Sequence, residues 1–274
     1  MSLQISATRT GEKPTTDLIY AHCAVRARSR PVTARWPRMP RGGSPRALDL
    51  GNGLWVIVST VPGKEYESGL ARRLSDVEWL AECGVAHHEV IARAAHGRGV
   101  APFRLLTLFR SDDRAIAEVT RLRARIERAL DRVNDRREWV VRVAAVAQAR
   151  RPKNRPISRS GTSYLMERAA QSSRWRAGAA SASADARRVA RALIAALNEY
   201  ADQVVQRPSE AAHVLYDGAL LVSREREHDL GNVVRQWAPR LAPVGCRVSL
   251  TGPWPPYSFV SLDGRRSGAS HDRG

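Results

Sequence analysis

The chain has 274 residues and a formal net charge of +18 at pH 7, carried by 45 basic residues of which all but Lys13, Lys64 and Lys153 are arginine. Its hydrophobic fraction of 43% is enough to bury a core, and its length suits two domains. No apolar run approaches the ~18 residues that a membrane helix needs, and the polar N-terminus lacks the apolar centre of a secretory signal, so we expect a cytoplasmic protein.

The first half of the chain predicts an N-terminal α+β domain over residues 17–135, after a disordered stretch at 1–16. A strand candidate at Leu18–Ala27 is followed by residues 28–45, where prolines and glycines interrupt any regular pattern and predict a flexible loop. The pair Asn52-Gly53 then predicts a hairpin. An arginine run without an intervening acid covers this loop: Arg26, Arg28, Arg30, Arg35, Arg38, Arg41 and Arg46.

Two amphipathic helices are predicted in the rest of this domain. The first runs from Leu74 to about Ala95, with a start signal at Asp76. An apolar strand is predicted over Val100–Phe109. Ser111 then starts a long helix, whose apolar residues recur at helical spacing and are expected to face a sheet or a partner helix.

The second half predicts a C-terminal domain over residues 136–262 and a disordered tail at 263–274. Its elements follow the order βαββαβ, which fits a modified ferredoxin-like fold. A second basic run, Arg150–Arg159, is read as a loop. The predicted strands are Trp139–Val146, Val214–Val222, as one strand or as a pair broken at Asp217-Gly218, and Cys246–Leu250. The predicted helices are Tyr164–Ala170, Asp185–Val205 and Glu227–Ala238, with a loose stretch at 171–183.

Motifs of catalysis and cofactor binding are missing from the sequence. Gly63-Lys64 is followed by Glu65, so the phosphate-binding loop pattern fails. His88-Glu89 has no second histidine at position 92, and we expect His87 and His88 to lie on the surface or at an interface. We therefore predict no catalytic residue, no cofactor, no metal and no enzyme.

The cysteines lead to the same conclusion. The chain has three, far apart and in no CxxC pair, which argues against a disulfide scaffold or a zinc site. We expect buried free thiols at Cys23, Cys83 and Cys246.

The most distinctive motif closes the second domain. Three prolines and three aromatic residues fall within nine residues, and the prolines exclude a helix or a central strand. In an extended, polyproline-like chain Trp254 and Tyr257 would share one edge. The motif is either a packed corner or a rigid docking strip, because rigid aromatics bind at low entropic cost. Its residues are Gly252, Pro253, Trp254, Pro255, Pro256, Tyr257, Ser258, Phe259 and Val260.

This motif, extended to Leu250–Val260, resembles the closing signature of the gas vesicle protein GvpF/GvpL family. Weaker resemblances stand in the family's order and together cover about residues 17–262. One departure occurs at Leu106, where the family usually has a glycine before the threonine. The further segments are Leu18–Val25, Gly53–Ser59, Asp76–Leu80 with His87, Pro102–Phe109, Glu138–Val143, Gly161–Leu165 and Tyr216–Val222.

The resemblance implies an accessory or minor structural protein of gas vesicle assembly, without catalysis. Such a protein would bind the small hydrophobic shell protein GvpA and other gas vesicle accessory proteins, prevent GvpA aggregation and help nucleate the vesicle. It would be found in the gas vesicle and the cytoplasm. The net charge of +18 leaves one alternative, a basic nucleic-acid-binding protein, although no reading helix or RNA-binding signature is present.

Overall fold

A computed structural model describes residues 17–68, 74–146, 184–209, 211 and 213–262. The ends predicted to be disordered, the second basic run and residues 164–183 lie outside the described residues. Within the described ranges, no helix is both long and apolar enough to cross a bilayer.

The chain forms two compact units. The first comprises Met1–Arg137 together with Trp254–Gly274, and the second comprises Glu138–Pro253. The division near residue 137 lies close to the predicted domain boundary. The other end differs, because we assigned the whole closing motif to the second domain, whereas the chain from Trp254 onward groups with the first unit.

The first unit is built on an antiparallel sheet. Its strands are β1 (Asp17–Arg26), β2 (Arg46–Asp49), β3 (Leu54–Pro62), β4 (Val100–Pro102) and β5 (Leu108–Phe109). They pair in the order β2-β3-β1-β4, and β5 also pairs with β1. Its helices are α1 (Val77–Ala94), α2 (Asp112–Arg121) and α3 (Arg123–Val133), and a π-helical turn spans Lys64–Ser68.

Strand β1 is buried along its interior because helices cover both faces of the sheet. One face, with Ile19, packs in a cluster with Val119 of α2 and Ile126 of α3. The opposite face, with Leu18, packs against Trp79 of α1. The continuous apolar sequence of β1 is therefore explained by helices that cover both faces of this strand.

A bulge in β1 changes which side chains face α1. The register moves from Ala21 opposite Val58 to Cys23 opposite Ile57, so His22 is the extra residue. An extra residue interrupts the alternation of side chains. As a result His22 contacts the rings of the α1 face, and Cys23 packs in a cluster with residues of the same helix.

The arginine- and proline-rich segment 28–45 has no regular structure beyond turns, but it is packed rather than free. Met39 is 1% exposed and belongs to the cluster with Tyr20 and Trp79. The hydroxyl of Tyr66 donates to the carbonyl of Pro40 at 3.0 Å. The expectation of a flexible loop overlooked Met39, whose side chain supplies a core contact.

The predicted strand over Val100–Phe109 is divided by a turn. The amide of Thr107 donates to the carbonyl of Arg104, and Leu106 between them has φ +64. A turn with positive φ at its third residue favours glycine at that position. This explains why a glycine suits the position that Leu106 occupies.

The hairpin between β2 and β3 is confirmed, with Gly51, Asn52 and Gly53 all at positive φ. The long helix predicted after Ser111 is instead two helices, which meet at Leu122. The side chain of Ser111 accepts from the amide of Arg114, as expected of a helix cap.

The second unit has a four-stranded sheet and two described helices. Its elements are β6 (Arg136–Ala145), α4 (Ala184–Asn198), β7 (Gln203–Gln206), β8 (Val214–Ser223), α5 (Glu227–Leu241) and β9 (Cys246–Trp254). The strands pair in the order β7-β8-β6-β9. If the first four strands of each unit are numbered along the chain, their order across the sheet is therefore the same in both units: second, third, first, fourth.

Two element boundaries in this unit differ from the predicted ones. The helix predicted over Asp185–Val205 ends at Asn198, and Val204 and Val205 belong to strand β7, which suits their β-branched side chains. The last strand continues beyond Leu250 to Trp254. Pro253 is tolerated there because β9 lies at the edge of the sheet.

One carboxylate on β8 organises charge in the second unit. Asp217 is 5% exposed and accepts two hydrogen bonds from Arg142 and two from Arg207, at 2.5–2.9 Å. Paired guanidinium forks of this kind are strong and geometrically specific. The pairing ties β6 and the end of β7 to the central strand β8.

Candidate functional site

The closing motif changes conformation along its length. Gly252, the last residue but one of the second unit, has φ +146, and an added Cβ there would lie 2.9 Å from the carbonyl oxygen of Glu138 and 3.0 Å from the Trp139 ring. Beyond Pro256 the chain turns, because the amide of Phe259 donates to the Pro256 carbonyl at 3.2 Å. The motif is therefore extended only over its first half.

Two aromatic residues of the motif contact one histidine of α1. The Trp254 ring lies edge-on to the His88 ring at 5.2 Å, and the Tyr257 ring lies 6.1 Å from it. The hydroxyl of Tyr257 and Nδ1 of His88 are 3.1 Å apart. Trp254 and Tyr257 are each 38% exposed.

The rest of the motif is an anchor. Phe259 is 5% exposed, and Pro255 and Pro256 are buried. Arg132 of α3 donates to the carbonyl of Phe259 at 3.0 Å. Val260 and the following Leu262 pack in the cluster between the sheet and α3.

The two interpretations of the motif thus apply to different residues. Phe259, the two adjacent prolines and Val260 form a packed corner, whereas Trp254 and Tyr257 present aromatic surface. Pro253 is exposed and Ser258 is half-buried. We define the aromatic pair with His88 as the closing strip.

A buried polar network under α1 was missed by the sequence analysis. His87, expected on the surface or at an interface, is 5% exposed and lies at the fourth residue after Cys83 on the inner face of the helix. Its ring stacks on that of His22 at 5.6 Å. The spacing Trp79, Cys83, His87 is the signal that could have placed His87 inside, since residues four apart share a helix face.

Hydrogen bonds fix the protonation of His87. Its Nε2 lies 3.2 Å from the carbonyl oxygen of Phe103 and must donate, so Nδ1 accepts from the hydroxyl of Tyr20 at 3.0 Å. The amide of Leu106 in turn donates to the Tyr20 oxygen. Burial lowers the pKa of His87 to about 4, and it also holds the pKa of His22 well below its usual value.

This network is structural rather than catalytic in its placement. His22 is fully buried, and its Nε2 lies 2.9 Å from Oγ of Ser59. Reacting groups need access to a substrate, which such burial denies. The described residues also hold no group of three His, Cys, Asp or Glu side chains able to bind a metal. The three cysteines are free and buried, as expected.

Part of the first arginine run is neutralised within the fold. Arg26 pairs with Asp131 at 2.7 Å, Arg46 pairs with Asp112 at 2.5 Å, and Arg41 pairs with Glu65. The run is therefore not a continuous stripe of unpaired charge. This weakens the argument for a phosphate-binding surface, which needs cations free to meet phosphates.

Comparisons with known proteins agree with the resemblance. A sequence model of the family described as gas vesicle synthesis protein GvpL/GvpF matches residues 18–261. The chain is 33% identical over 239 residues to gas vesicle protein L from Streptomyces sp. (strain CB03234), covering 81% of this chain and 85% of that protein.

Two crystal structures share the fold. GvpF from Anabaena sp. PCC7120 superposes with a TM-score of 0.61 at 14% identity, covering 92% of this chain and all of that one. GvpF from Microcystis aeruginosa superposes with a TM-score of 0.59 at 13% identity, covering 89% of this chain and 99% of that one.

Proposed function

The chain belongs to the GvpL/GvpF family of gas vesicle synthesis proteins and takes part in gas vesicle formation, and we propose that it does so as an accessory protein that binds the small hydrophobic shell protein GvpA. In this role it keeps GvpA from aggregating, helps nucleate the vesicle and remains in part as a minor component. It performs no catalysis, and it works with other gas vesicle accessory proteins in the cytoplasm and on the vesicle.

The observation that carries this proposal is the closing strip. Trp254 and Tyr257 are each 38% exposed, and their rings lie 5.2 and 6.1 Å from that of His88. Aromatic side chains that are already ordered lose little entropy on binding and often dominate an interface. An apolar partner such as a shell protein is the class of ligand that such a surface suits.

The anchor strengthens the argument. Phe259 and the buried prolines fix the backbone on which the two exposed rings stand, and Arg132 holds the carbonyl of Phe259. A binding surface built on a rigid support is more precise than one on a free loop. In this proposal the buried residues of the motif hold the backbone in place, and the exposed residues bind the partner.

We further propose that the second unit is a modified ferredoxin-like domain. Its strand order β7-β8-β6-β9 and the position of α5 between β8 and β9 support this topology. The first unit has the corresponding strand order around β1. Function is assigned to the closing strip rather than to the fold, since one fold serves many functions.

The test is capture of purified GvpA by the full chain at low and high salt. Apolar docking survives high salt, whereas phosphate binding falls steeply with it. We expect capture at both salt concentrations. Trp254→Ala and Tyr257→Ala are each expected to weaken it by about 2 kcal/mol, as at interface hot spots.

Stability measurements separate binding from folding. Trp254→Ala is expected to cost about 1–2 kcal/mol of unfolding free energy because its ring is partly exposed, whereas buried Phe259→Ala is expected to cost about 3–5 kcal/mol. Val204→Ala, an exposed side chain of the second unit, is the surface control. Unchanged capture by both strip variants would reject the strip, and no capture of GvpA at either salt would reject the function.

A further inference from the structure

A second surface of the first unit has the form of a docking groove, and it does not involve the closing strip. One wall is α1, and the other is the ordered segment around Pro37 and Pro40. The groove is open and has a volume of ≈ 510 Å³. The α1 residues along it are Glu78, Ala81, Glu82, Val85, Ala86 and Glu89.

The second wall is fixed in place by the core. Met39, which lies between Pro37 and Pro40 in the chain, is 1% exposed, and the carbonyl of Pro40 accepts a hydrogen bond from the buried Tyr66. Proline also restricts φ on both sides of Met39. The groove therefore exists before any partner arrives, and little chain ordering opposes binding.

Apolar side chains of α1 are exposed along this surface. Val85 is 58% exposed in the groove, and Val77, two turns earlier on the same helix row, is 78% exposed. Ala81 lies between them at the same spacing of four residues. This row offers an apolar ridge of a kind that helices bury against other helices.

The charge of the groove is opposite to that of the molecule. Glu78, Glu82 and Glu89 line it, and none of them forms an ion pair within the described part of the chain. Arg38 is the basic residue of the lining. Three carboxylates thus face one guanidinium in a protein whose formal net charge is +18.

We propose that this groove binds a short amphipathic helix of a partner protein, with apolar residues on one face and Lys or Arg beside them. The apolar residues of the partner helix contact Val77, Ala81 and Val85. Its Lys or Arg side chains contact the glutamates of the groove. From Val77 to Glu89 the helix rises about 18 Å, which an occupant of about three turns would match.

The charge distribution also predicts selectivity. At long range a basic helix is repelled by the net charge, so it gains affinity only when it contacts the acidic groove. A helix with acidic flanks would be attracted at long range but opposed in the groove. Recognition is therefore expected to depend on local contacts, which allows a sharp test.

The test uses the full chain and a fluorescent synthetic helical peptide that carries a leucine row flanked by lysines. Fluorescence anisotropy gives its Kd, and a matched peptide has glutamate at every lysine position. We expect the lysine peptide to bind at least about tenfold more tightly than the glutamate peptide. Equal affinity of the two peptides, or no binding of the lysine peptide, overturns the proposal.

Charge reversal in the protein locates the site. Glu82→Lys and Glu89→Lys are each expected to weaken the lysine peptide at least about fivefold. The matched control is Glu199→Lys, which changes the net charge equally at an exposed position of the second unit and should alter Kd less than about twofold. Melting curves verify that each variant is folded. An equal loss of peptide affinity in all three variants would mean that only the net charge matters, and it would overturn the proposal that the groove is the binding site.

Two further measurements keep the outcomes distinct. Trp254→Ala should leave peptide affinity unchanged, so failure of the groove says nothing about GvpA binding at the closing strip. Sedimentation of the full chain tests for a second copy as the occupant. Self-association that Glu82→Lys abolishes would replace the partner helix by a copy of this chain and reject the proposal.

Discussion

His87 and His88 are neighbours on α1 and have opposite surroundings. The ring of His87 is buried against Tyr20 and His22, whereas His88 is half-buried and contacts Trp254 and Tyr257. Adjacent residues on a helix point about 100° apart, so one can belong to the core and the next to the surface. The sequence pattern gave both histidines the same assignment, and only His88 fits it.

The buried histidine pair predicts acid sensitivity. The folded-state pKa of His87 is about 4, below that of an unfolded chain, so the unfolded state takes up protons first as the pH falls below about 6.5. The free energy of unfolding is therefore expected to have its full value above pH 6.5. As the pH is lowered to 4, protonation of His87 alone should reduce it by about 3 kcal/mol. Chemical denaturation as a function of pH measures this slope.

A matched pair of variants tests the origin of that slope. His87→Gln keeps a donor for the Phe103 carbonyl and an acceptor for the Tyr20 hydroxyl but cannot be protonated, so it should flatten the pH dependence. His96→Gln, at an exposed position, should leave it as in the wild type. An unchanged slope in His87→Gln would show that the acid sensitivity arises elsewhere.

Leu106 predicts a second effect at the residue scale. Its φ of +64 strains a leucine by about 1–2 kcal/mol, and glycine would release that strain. Leu105, which is 39% exposed, lacks this conformation. We expect Leu106→Gly to be less destabilising than Leu105→Gly by about 1 kcal/mol, although Leu106 packs more closely. Denaturant titrations of both variants decide this, and the reverse order would refute it.

At the scale of elements, residues 28–45 show how one side chain changes the character of a loop. The segment contains few apolar residues, but Met39 lies in the cluster with Leu18, Tyr66 and Trp79. Main-chain hydrogen bonds also hold it, such as that from Gly43 to the Thr60 carbonyl at 2.8 Å. The loop is a wall of the first unit and of the groove beside α1.

This packing predicts that the loop contributes to folding. Met39→Ala is expected to cost about 2–4 kcal/mol, the usual loss for a buried side chain of this size. Val32→Ala, at a position 79% exposed on the same loop, should change stability by less than about 0.5 kcal/mol. Deletion of 28–43 should lower the melting temperature of the first unit sharply. A melt within a few degrees of the wild type would show that the loop is dispensable after all.

At the scale of the whole molecule, the chain leaves the first unit at Arg137 and returns to it at Trp254. The returning segment adds Val260 and Leu262 to the cluster formed by the sheet, α2 and α3. Leu262 is 8% exposed, so the core of the first unit includes residues from both ends of the described chain. The core of the first unit therefore includes a segment that follows the second unit in the chain.

Two truncations test this arrangement. A chain that stops after Leu262 should keep the stability of the full chain. A chain that stops after Pro253 lacks the buried side chains of Phe259 and Leu262, and each of the two should cost at least about 1.5 kcal/mol of unfolding free energy. Hydrogen exchange should then rise in β1 and change little in β8, because β8 belongs to the other unit. Equal rise in both strands would contradict the assignment of the closing segment to the first unit.

The sequence by itself determined the features that depend on local chemistry. The turn at Gly51–Gly53, the cap at Ser111, the apolar strand β1 and the nine-residue motif follow from backbone preference and side-chain pattern. The family is also readable from the sequence, because the motif is long and unusual in composition.

Only the tertiary structure decided which residues meet at a distance. The burial of His87 and Met39, the conversion of Val204–Val205 from predicted helix to strand, and the return of Phe259 and Leu262 to the first unit all depend on partners far away in the chain. Local propensity differs by less than a kilocalorie per residue, whereas burial of one large side chain is worth about 1.5–3 kcal/mol. Packing therefore overrides pattern wherever the two conflict, and it separates the exposed Trp254 from the buried Phe259 within one motif.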